Sequence, residues 1–314
     1  MDILIVIEDN RGLVHRMSKE AIAGAQKIGG SITALVIGEN SDAISSEISS
    51  IDIDKILVVK HELVSSYNSD GYTEVIAQVI QSTDPDMVVI GHTYQTRDFM
   101  PRVSARLDIP FIPDIIYVEH DSYTKQVLNS KLNCSVLSSS NKKILSFQSA
   151  CFSEEDVLTG TSSSEDFDIN LDSSVIRSSS EEPFQDSVSE VDLESADLIV
   201  SVGRGIQKEE NIPIAFDLAS AISAEVSASR PVVDAGWLPS FRQVGSSGST
   251  VSPKLYFSLG ISGAIQHVVG MKGSKNILAI NKDPDAPIFE IADYAVVGDV
   301  LEIVPKLIEA LNNS

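Results

Sequence analysis

The chain has few cysteines and no long apolar stretch. Cys134 and Cys151 are the only cysteines among 314 residues, which excludes a disulfide-stabilised scaffold and favours two free thiols in a reducing compartment. No run of 18 apolar residues occurs, so we expect no membrane insertion. The chain starts directly with a strand-like apolar run and lacks a basic leader, so we expect a cytoplasmic protein. Its 43% hydrophobic content suffices for two sizeable cores.

Basic residues are scarce as well. The 23 Lys and Arg residues stand against 45 Asp and Glu residues, and the net charge of −22 argues against partners such as nucleic acid or an anionic membrane. The excess is concentrated between Glu154 and Asp197, where 14 acidic residues accompany one basic residue, Arg177. We interpret this acidic, Ser-rich stretch as solvated surface and linker rather than as a docking patch.

Several signatures of enzyme chemistry are missing. The first strand candidate lacks the G-x-G-x-x-G turn, with an acidic residue ~20 positions on, that is typical of nicotinamide dehydrogenases. No Ser/His/Asp or Cys/His arrangement is recognisable, so we predict no catalytic residue. No metal site is predicted either, because four histidines have no ligand-type residue three or four positions away: His15, His61, His92 and His120.

The first half of the chain alternates strand-like and helix-like patterns. Apolar runs predict strands at Ile3–Ile7, Ile32–Ile37, Ile56–Val59 and Met87–Ile90. Helical spacing between them, and again from Thr96 to Leu107, predicts a parallel sheet covered on both faces. Three shorter runs then predict an antiparallel extension of this sheet, at residues 115–118, 135–137 and 143–147.

The low-complexity segment 153–195 separates two predicted α/β domains, residues 1–190 and 196–314. In the second domain we expect a strand at 196–202, then a helix that Asn211 caps and that presents Ile214, Leu218, Ile222 and Val226 on one face. Val232–Ala235 predicts the next strand. The last predicted helix runs from about Val300 to Leu311, and Pro305 should kink or restart it.

The unusual residues of the chain are gathered between Gln243 and Asp283. Two Gly/Ser loops, Gly245–Gly248 and Gly260–Gly263, flank an apolar strand candidate. The second loop leads into a short helix candidate, residues 264–269, and a further apolar run follows at 275–280. A strand, a glycine-rich turn, a helix and a strand form nucleotide pockets in α/β folds, because small residues let backbone N–H groups approach a phosphate.

In sequence, these segments resemble the FAD-binding domain of the electron transfer flavoprotein alpha subunit. The resemblance extends from about Val202 to the C-terminus, and its densest parts are ASRPVVDAG, QVGSSG, GISGAIQH, GMK, AINKDPDAPIF and ADY. It implies a doubly wound FAD-binding second domain. It also implies, on a looser match, a Rossmann-like first domain of the adenine-nucleotide alpha-hydrolase type, with residues 96–107 as its most similar part.

The resemblance assigns roles to individual residues. Arg230 would lie against the isoalloxazine ring, where a permanent cation stabilises negative charge on the ring and raises its potential. His267 would donate a hydrogen bond to the ring's O2 atom, and Ser247 would take the place near N5 where the family often has threonine. Ser246 replaces a frequent glutamine and cannot match its reach. The other implied contacts are Arg204, Ser229, Gln243, Val244, Gly245, Gly260, Ser262, Gly263, Ala264, Ile265, Gln266, Asn281, Asp299 and Val300.

Several of these assignments have a structural alternative. Arg204 could be a solvated arginine on a surface turn, Arg230 part of a surface ion pair, and His267 a structural histidine. The alternative for Ser246 and Ser247 is that they are simple turn residues. Asp299 could equally cap the last helix, and Asn281 could be a turn former at a strand end. The resemblance further implies a heterodimer with an electron transfer flavoprotein beta subunit. The resemblance implies that such a dimer is an electron carrier rather than an enzyme. It would accept electrons from acyl-CoA or other flavin dehydrogenases and pass them to a quinone-linked oxidoreductase. An electron-bifurcating or nitrogen-fixation-type alpha subunit is an alternative. A nucleotide-binding signalling module is an alternative of another class.

Overall fold

The protein is described as a computed structural model, which covers residues 1–128, 132–178, 191, 193 and 196–312. It divides into two compact units, Met1–Phe184 and Gln185–Ser314. The predicted domain limits, 1–190 and 196–314, stay a prediction because most of the sequence around that boundary lies outside the described residues.

The first unit is an α/β structure with one large sheet. Its strands are β1 (Asp2–Ile7), β2 (Asp9–Asn10), β3 (Leu13–Val14), β4 (Ser31–Ile37), β5 (Lys55–Val59), β6 (Met87–Gly91), β7 (Phe111–Glu119), β8 (Ser122–Val127), β9 (Leu132–Leu137), β10 (Lys143–Phe147) and β11 (Ser163–Asp166). Its helices are α1 (Arg16–Ile28), α2 (Ser41–Ile48), α3 (Ser69–Thr83) and α4 (Tyr94–Leu107). The large sheet has the order β11-β5-β4-β1-β6-β10-β7-β8-β9.

The central strands are apolar on both faces because helices cover both. Ile3 and Ile5 of β1 point into one core, and Leu4 and Val6 point into the other. The pairing of β1 with β4 is parallel and in register from Asp2 to Ile7. The four strands predicted from apolar runs are therefore confirmed, and so is the helix that follows β6.

The predicted antiparallel extension is correct only in part. β7, β8 and β9 pair in antiparallel fashion, but β10 is parallel and lies between β6 and β7. The prediction of residues 143–147 as an antiparallel strand was therefore wrong. β8 was not predicted, since its sequence, SYTKQV, is largely polar, although Tyr123 within it is fully buried.

Part of the acidic segment belongs to the first unit rather than to a linker. β11 pairs in parallel with β5, and Glu165 forms an ion pair with Lys55 across the two strands. Leu171, further along, packs into a core with only 8% of its surface exposed. The linker interpretation is wrong for residues 163–171. The polar composition of the segment did not predict β11, because an edge strand is held mainly by backbone hydrogen bonds and does not require apolar side chains.

The second unit contains a five-stranded parallel sheet. Its strands are β12 (Leu198–Val202), β13 (Glu225–Ala228), β14 (Leu255–Leu259), β15 (Ile277–Asn281) and β16 (Tyr294–Val297). Its helices are α5 (Pro213–Ile222), α6 (Arg230–Asp234), α7 (Ile265–Val268) and α8 (Val300–Asn312). The strand order is β13-β12-β14-β15-β16. The chain places β13 on one side of β12 and β14 on the other, so the strand order reverses between β12 and β14 although all strands are parallel.

Two local predictions for this unit were wrong, and a third, a kink or restart of the last helix at Pro305, was wrong about the restart. Residues 230–234 form helix α6 rather than a strand, because Pro231 suits a first helical turn, and the strand is the preceding β13, which contains Val226. Asn211 does not cap α5, since its Nδ2 donates to the carbonyl of Ile206 at 2.8 Å. Helix α8 continues through Pro305 without restarting.

No helix among the described residues is both long and apolar enough to cross a membrane. Within the same residues, no three His, Cys, Asp or Glu side chains are grouped in a way that could hold a metal ion.

Candidate functional site

The loops that follow β12 and β14 meet at the point where the strand order reverses. The amide of Gly205 donates to the carbonyl of Gly260 at 2.9 Å. A Cβ atom at Gly203 would lie 2.3 Å from the Gly260 oxygen, so only glycine permits this approach. In parallel α/β sheets, ligands bind outside the carboxyl ends of the strands at such a reversal.

The loop after β14 presents a run of unoccupied amides. Among the described residues, none of the six consecutive N–H groups from Ile261 to Gln266 donates to a protein acceptor. The loop is fixed elsewhere, since Ile288 donates its amide to the carbonyl of Ser262 at 3.1 Å, and Gly263 has φ +87°. Consecutive free amides beside small residues form an anion-binding concavity. The amides of Ser262 and the residues that follow it are therefore open to an anion, and their predicted contact with a pyrophosphate stays a prediction.

Asn281 supports this loop from the end of β15. Its Nδ2 donates to the carbonyl of Ile261 at 2.8 Å, and its Oδ1 accepts from the amide of Asp283 at 3.0 Å. The side chain is thus used inside the protein to hold both the open loop and its own turn. The predicted contact with adenosine stays a prediction beside this supporting role.

The QVGSSG loop packs backbone to backbone against the end of the open loop. The amide of Ser246 donates to the carbonyl of Gln266 at 2.7 Å. Gln243 places its Nε2 at 3.0 Å from both the carbonyl and the Oγ of Ser247. The Ser246 and Ser247 side chains are exposed, whereas Val244 is 1% exposed and lies in a hydrophobic core. Val244 can therefore reach a ligand only through its backbone.

The two predicted arginines lie after the neighbouring strands β12 and β13. Arg204 is exposed on a single 3₁₀ turn, and Arg230 opens helix α6. Nε of Arg230 is 3.3 Å from a carboxylate oxygen of Asp234, and these side chains are 68% and 62% exposed. An ion pair this exposed contributes little to stability, so the Arg230 guanidinium is available to another anion. Ser229, just before it, is buried and makes no side-chain cap.

Asp299 caps helix α8, as the structural alternative predicted. Its Oδ1 accepts from the amide of Leu301 at 2.9 Å, and Nζ of Lys282 lies 2.7 Å from its other oxygen. Hydrogen bonding from Lys282, and then from Leu301, lowers the pKa of the Asp299 carboxyl. Val300 is 2% exposed in a hydrophobic core, so its predicted contact is limited to its backbone.

His267 lies buried behind the loops, paired with Tyr256. The Tyr256 hydroxyl is 2.9 Å from Nε2 of His267, and Nδ1 is buried without a hydrogen bond of good geometry in the described part of the chain, although the Val244 backbone interacts with the ring. Burial lowers the pKa of His267 to about 4, and the Val244 carbonyl opposes this shift only in part. The imidazole is therefore neutral at pH 7. Sequence reasoning missed Tyr256, which stands inside the apolar run of β14.

These features fit a flavin dinucleotide. The open amides and the exposed Ser262 suit a pyrophosphate, and bare glycine backbone allows close approach. The buried Nδ1 of His267 can meet an acceptor on a ring, and Arg230 can balance its negative charge. The structure brings all the predicted contact residues to the loops at the carboxyl edge of one sheet; their individual contacts with FAD stay a prediction.

Comparison with known proteins identifies the family of the chain. The family described as "Electron transfer flavoprotein domain" matches residues 3–168, and "Electron transfer flavoprotein FAD-binding domain" matches residues 192–272. A solved structure of Arabidopsis thaliana UGT89C1 with UDP-L-rhamnose aligns with 99% of this chain and 89% of its own. Its identity of 13% and TM-score of 0.34 are too low to support an argument.

Relatives match over nearly the whole chain. The electron transfer flavoprotein subunit alpha of Thermoanaerobacterium thermosaccharolyticum is 35% identical over 99% of this chain and 97% of its own length. That of Bacillus subtilis is 35% identical over 98% and 96%. Protein FixB of Azotobacter vinelandii is 34% identical over 98% and 89%. The chain belongs to the electron transfer flavoprotein alpha subunit family, whose cofactor is FAD.

Proposed function

We propose that this chain is the FAD-binding subunit of a heterodimeric electron carrier. The dimer accepts electrons from flavin dehydrogenases, such as acyl-CoA dehydrogenases of fatty acid oxidation, and passes them to a quinone-linked oxidoreductase. Bound FAD supplies the redox chemistry, since a flavin accepts and releases electrons one or two at a time. The observation that carries the proposal is the run of six free amides at the strand-order reversal, within a chain of this family.

The residues of this chain bind and tune rather than react. The amides of residues 261–266 hold the pyrophosphate, and Asn281 fixes their loop. Arg230 places a permanent charge beside the ring, and neutral His267 directs a donor at a ring carbonyl. A cation and a donor aimed at the same ring favour its negatively charged state, which is the state that accepted electrons produce.

We place FAD binding in residues 196–314 and the interface with an electron transfer flavoprotein beta subunit mainly in residues 1–190. The first unit presents a nine-stranded sheet, whereas the open amides at Ile261 to Gln266 lie in the second unit, which supports this division of roles. A cytoplasmic location stays a prediction.

The test is electron transfer by the assembled dimer. The chain is co-expressed with its beta subunit, and the purified complex is mixed anaerobically with an acyl-CoA dehydrogenase and its substrate. We expect bleaching of the flavin absorbance to depend on the dehydrogenase. The Gly263→Ala variant, which cannot hold its loop at φ +87°, should lose the flavin and the signal together. Retained FAD without any reduction would contradict the proposed donor class.

The similarity to Protein FixB supports a second candidate, a bifurcating or nitrogen-fixation-type alpha subunit. The two candidates differ in their electron donor. The same complex is mixed with NADH in the absence of any dehydrogenase. We expect no flavin reduction if the first proposal holds, and rapid reduction by NADH alone would favour the second candidate.

A further inference from the structure

Tyr256 and His267 form a buried pair with one hydrogen bond between them. The Tyr256 hydroxyl and His267 Nε2 are 2.9 Å apart, Tyr256 is 0% exposed and His267 is 6% exposed. A single proton lies between a phenol and an imidazole nitrogen, and either group can supply it. The choice decides whether the remaining nitrogen, Nδ1, carries a proton or a lone pair.

Three serine hydroxyls restrict that choice. Ser201, Ser227 and Ser258 stand at the same register on the adjacent strands β12, β13 and β14, on the face of the sheet that Tyr256 shares. All three are 0% exposed, and among the described residues their hydroxyls make no hydrogen bond of good geometry. Buried hydroxyl groups rarely remain without an acceptor.

The phenol oxygen of Tyr256 is an acceptor for two of these serines, Ser201 and Ser227. Ser201 and Ser227 both act to lower the pKa of Tyr256, which is the effect of donating to its oxygen, although burial raises that pKa overall. An oxygen that accepts from serine hydroxyls keeps its own proton free to donate. Within the described part of the chain, the hydrogen bond of good geometry at the phenol oxygen is the one to Nε2 of His267.

We propose that Tyr256, supported by Ser201 and Ser227, is a positioning residue that holds His267 in the Nδ1–H form. The Tyr256 hydroxyl donates to Nε2, so the imidazole proton lies on Nδ1. In the FAD-free chain this Nδ1–H is a buried donor without a hydrogen bond of good geometry among the described residues, a free-energy cost that an acceptor on a bound ring would remove.

This assignment gives the site a fixed donor for a ring carbonyl. It rests on the proposed function only for the identity of the acceptor, a carbonyl of bound FAD. The reverse arrangement, with Nε2–H donating to Tyr256, would present a lone pair from Nδ1 and would repel that carbonyl. Tyr256 therefore acts on the flavin through His267 and without touching it.

The first test needs no cofactor. The full chain is labelled with ¹⁵N-histidine, freed of FAD, and examined by long-range ¹H–¹⁵N correlation NMR, with His267 identified by its loss in His267→Leu. We expect one Nδ1–H tautomer in the wild type and a mixture of tautomers in Tyr256→Phe. Tyr294→Phe, which changes an exposed tyrosine of β16, should match the wild type. An Nε2–H wild type, or an unchanged pattern in Tyr256→Phe, would overturn the proposal.

If Tyr256→Phe does not fold, the paired variant Ser201→Ala/Ser227→Ala replaces it. That variant leaves the Tyr256–His267 bond in place and removes only the donors that orient the phenol proton. We expect the same mixture of His267 tautomers in this variant. A single Nδ1–H form in the paired variant would overturn the role given to the serines.

The second test uses FAD affinity in a double-mutant cycle. Tyr256→Phe should weaken FAD binding about 3- to 10-fold, the value of one hydrogen bond. In a His267→Leu background the same change should have no effect beyond twofold, because Tyr256 acts only through His267. An equal loss in both backgrounds would make Tyr256 merely structural. A chain that binds no FAD would defeat the proposed function, while the NMR result would still decide the tautomer.

Discussion

The amide of Gly205 donates to the carbonyl of Gly260 at 2.9 Å, which joins the loops after β12 and β14 backbone to backbone. A Cβ atom at Gly205 would lie 2.6 Å from Cα of Gly260. Gly205→Ala should therefore force the loops apart, with a stability loss of about 1–3 kcal/mol and weaker FAD binding. Urea unfolding and FAD titration measure the two effects.

Gly298→Ala is the matched control for that prediction. Its added Cβ would meet only the terminal methyl group of Ile303, which can turn aside. We expect Gly298→Ala to unfold close to the wild-type urea midpoint. Equal urea midpoints for Gly205→Ala and Gly298→Ala would contradict the claim that Gly205 is needed for close contact between the loops.

Asn281→Ala should weaken FAD binding because Asn281 holds the carbonyl of Ile261 beside the open amides. We expect a loss of about 1 kcal/mol in stability and about 5-fold in affinity. Asn276→Ala is the control, since Asn276 makes the same kind of bond, to the carbonyl of Lys254 at 3.0 Å, at the opposite end of the sheet. Calorimetric titration with FAD should separate the two variants. Equal FAD affinities for Asn281→Ala and Asn276→Ala would show that Asn281 does not support the site.

Arg230→Ala should lower the reduction potential of bound FAD by about 40 mV, the equivalent of about 1 kcal/mol for one electron. Asp234→Asn removes the carboxylate 3.3 Å from Arg230 and should leave the potential unchanged or raise it. Spectroelectrochemical titration measures both. Equal potentials in the wild type and Arg230→Ala would place the guanidinium away from the ring.

His267 should make the FAD-free chain less stable in acid. Its pKa is lowered from 6.5 to about 4 by burial, so between these values the unfolded state binds a proton that the folded state does not. Stability is full above pH 6.5 and falls by up to about 3 kcal/mol toward pH 4. His267→Leu should flatten this part of the profile of unfolding free energy against pH. His92, whose pKa burial also lowers to about 4, stays in both proteins, so only the difference between profiles reports His267.

The acidic segment should contribute to the stability of the first unit. Leu171→Ala removes a side chain that is 8% exposed in the core and should cost about 2–3 kcal/mol. Leu158→Ala, at a leucine that is 56% exposed, is the control and should cost little. Thermal unfolding compares them. A linker would tolerate both changes equally.

Apolar runs were enough to predict most of the parallel strands, because buried central strands consist mainly of apolar residues, as Ile3–Ile7 of β1 shows. The same signal misled at residues 232–235, where adjacent valines suggested a strand and Pro231 set the first turn of α6. The signal was absent from β11, a strand of Ser, Glu and Asp that pairs with β5 at the edge of the sheet.

The sequence motifs predicted where the site lies, but they did not predict the contacts that support it. Family motifs pointed to the glycine loops and to His267, which the fold brings to one edge. The hydrogen-bond partner of His267 is Tyr256, which lies eleven positions earlier within an apolar run. The two side chains become neighbours only in the folded chain. Ser201 and Ser227, far apart in the chain, become adjacent through the pairing of β12 with β13. Such contacts depend on sheet order, which local patterns do not contain.

The most direct test of the central claim is the stoichiometry of FAD in the assembled protein. The full chain is co-expressed with its beta subunit, stripped of cofactor and titrated with FAD, with bound flavin quantified after removal of the excess. The account predicts saturation at one FAD for each wild-type chain and no saturation for Gly263→Ala, whose Cβ would lie 2.2 Å from the amide nitrogen of Ile288. A wild-type complex that retains no flavin after incubation with excess FAD would contradict it.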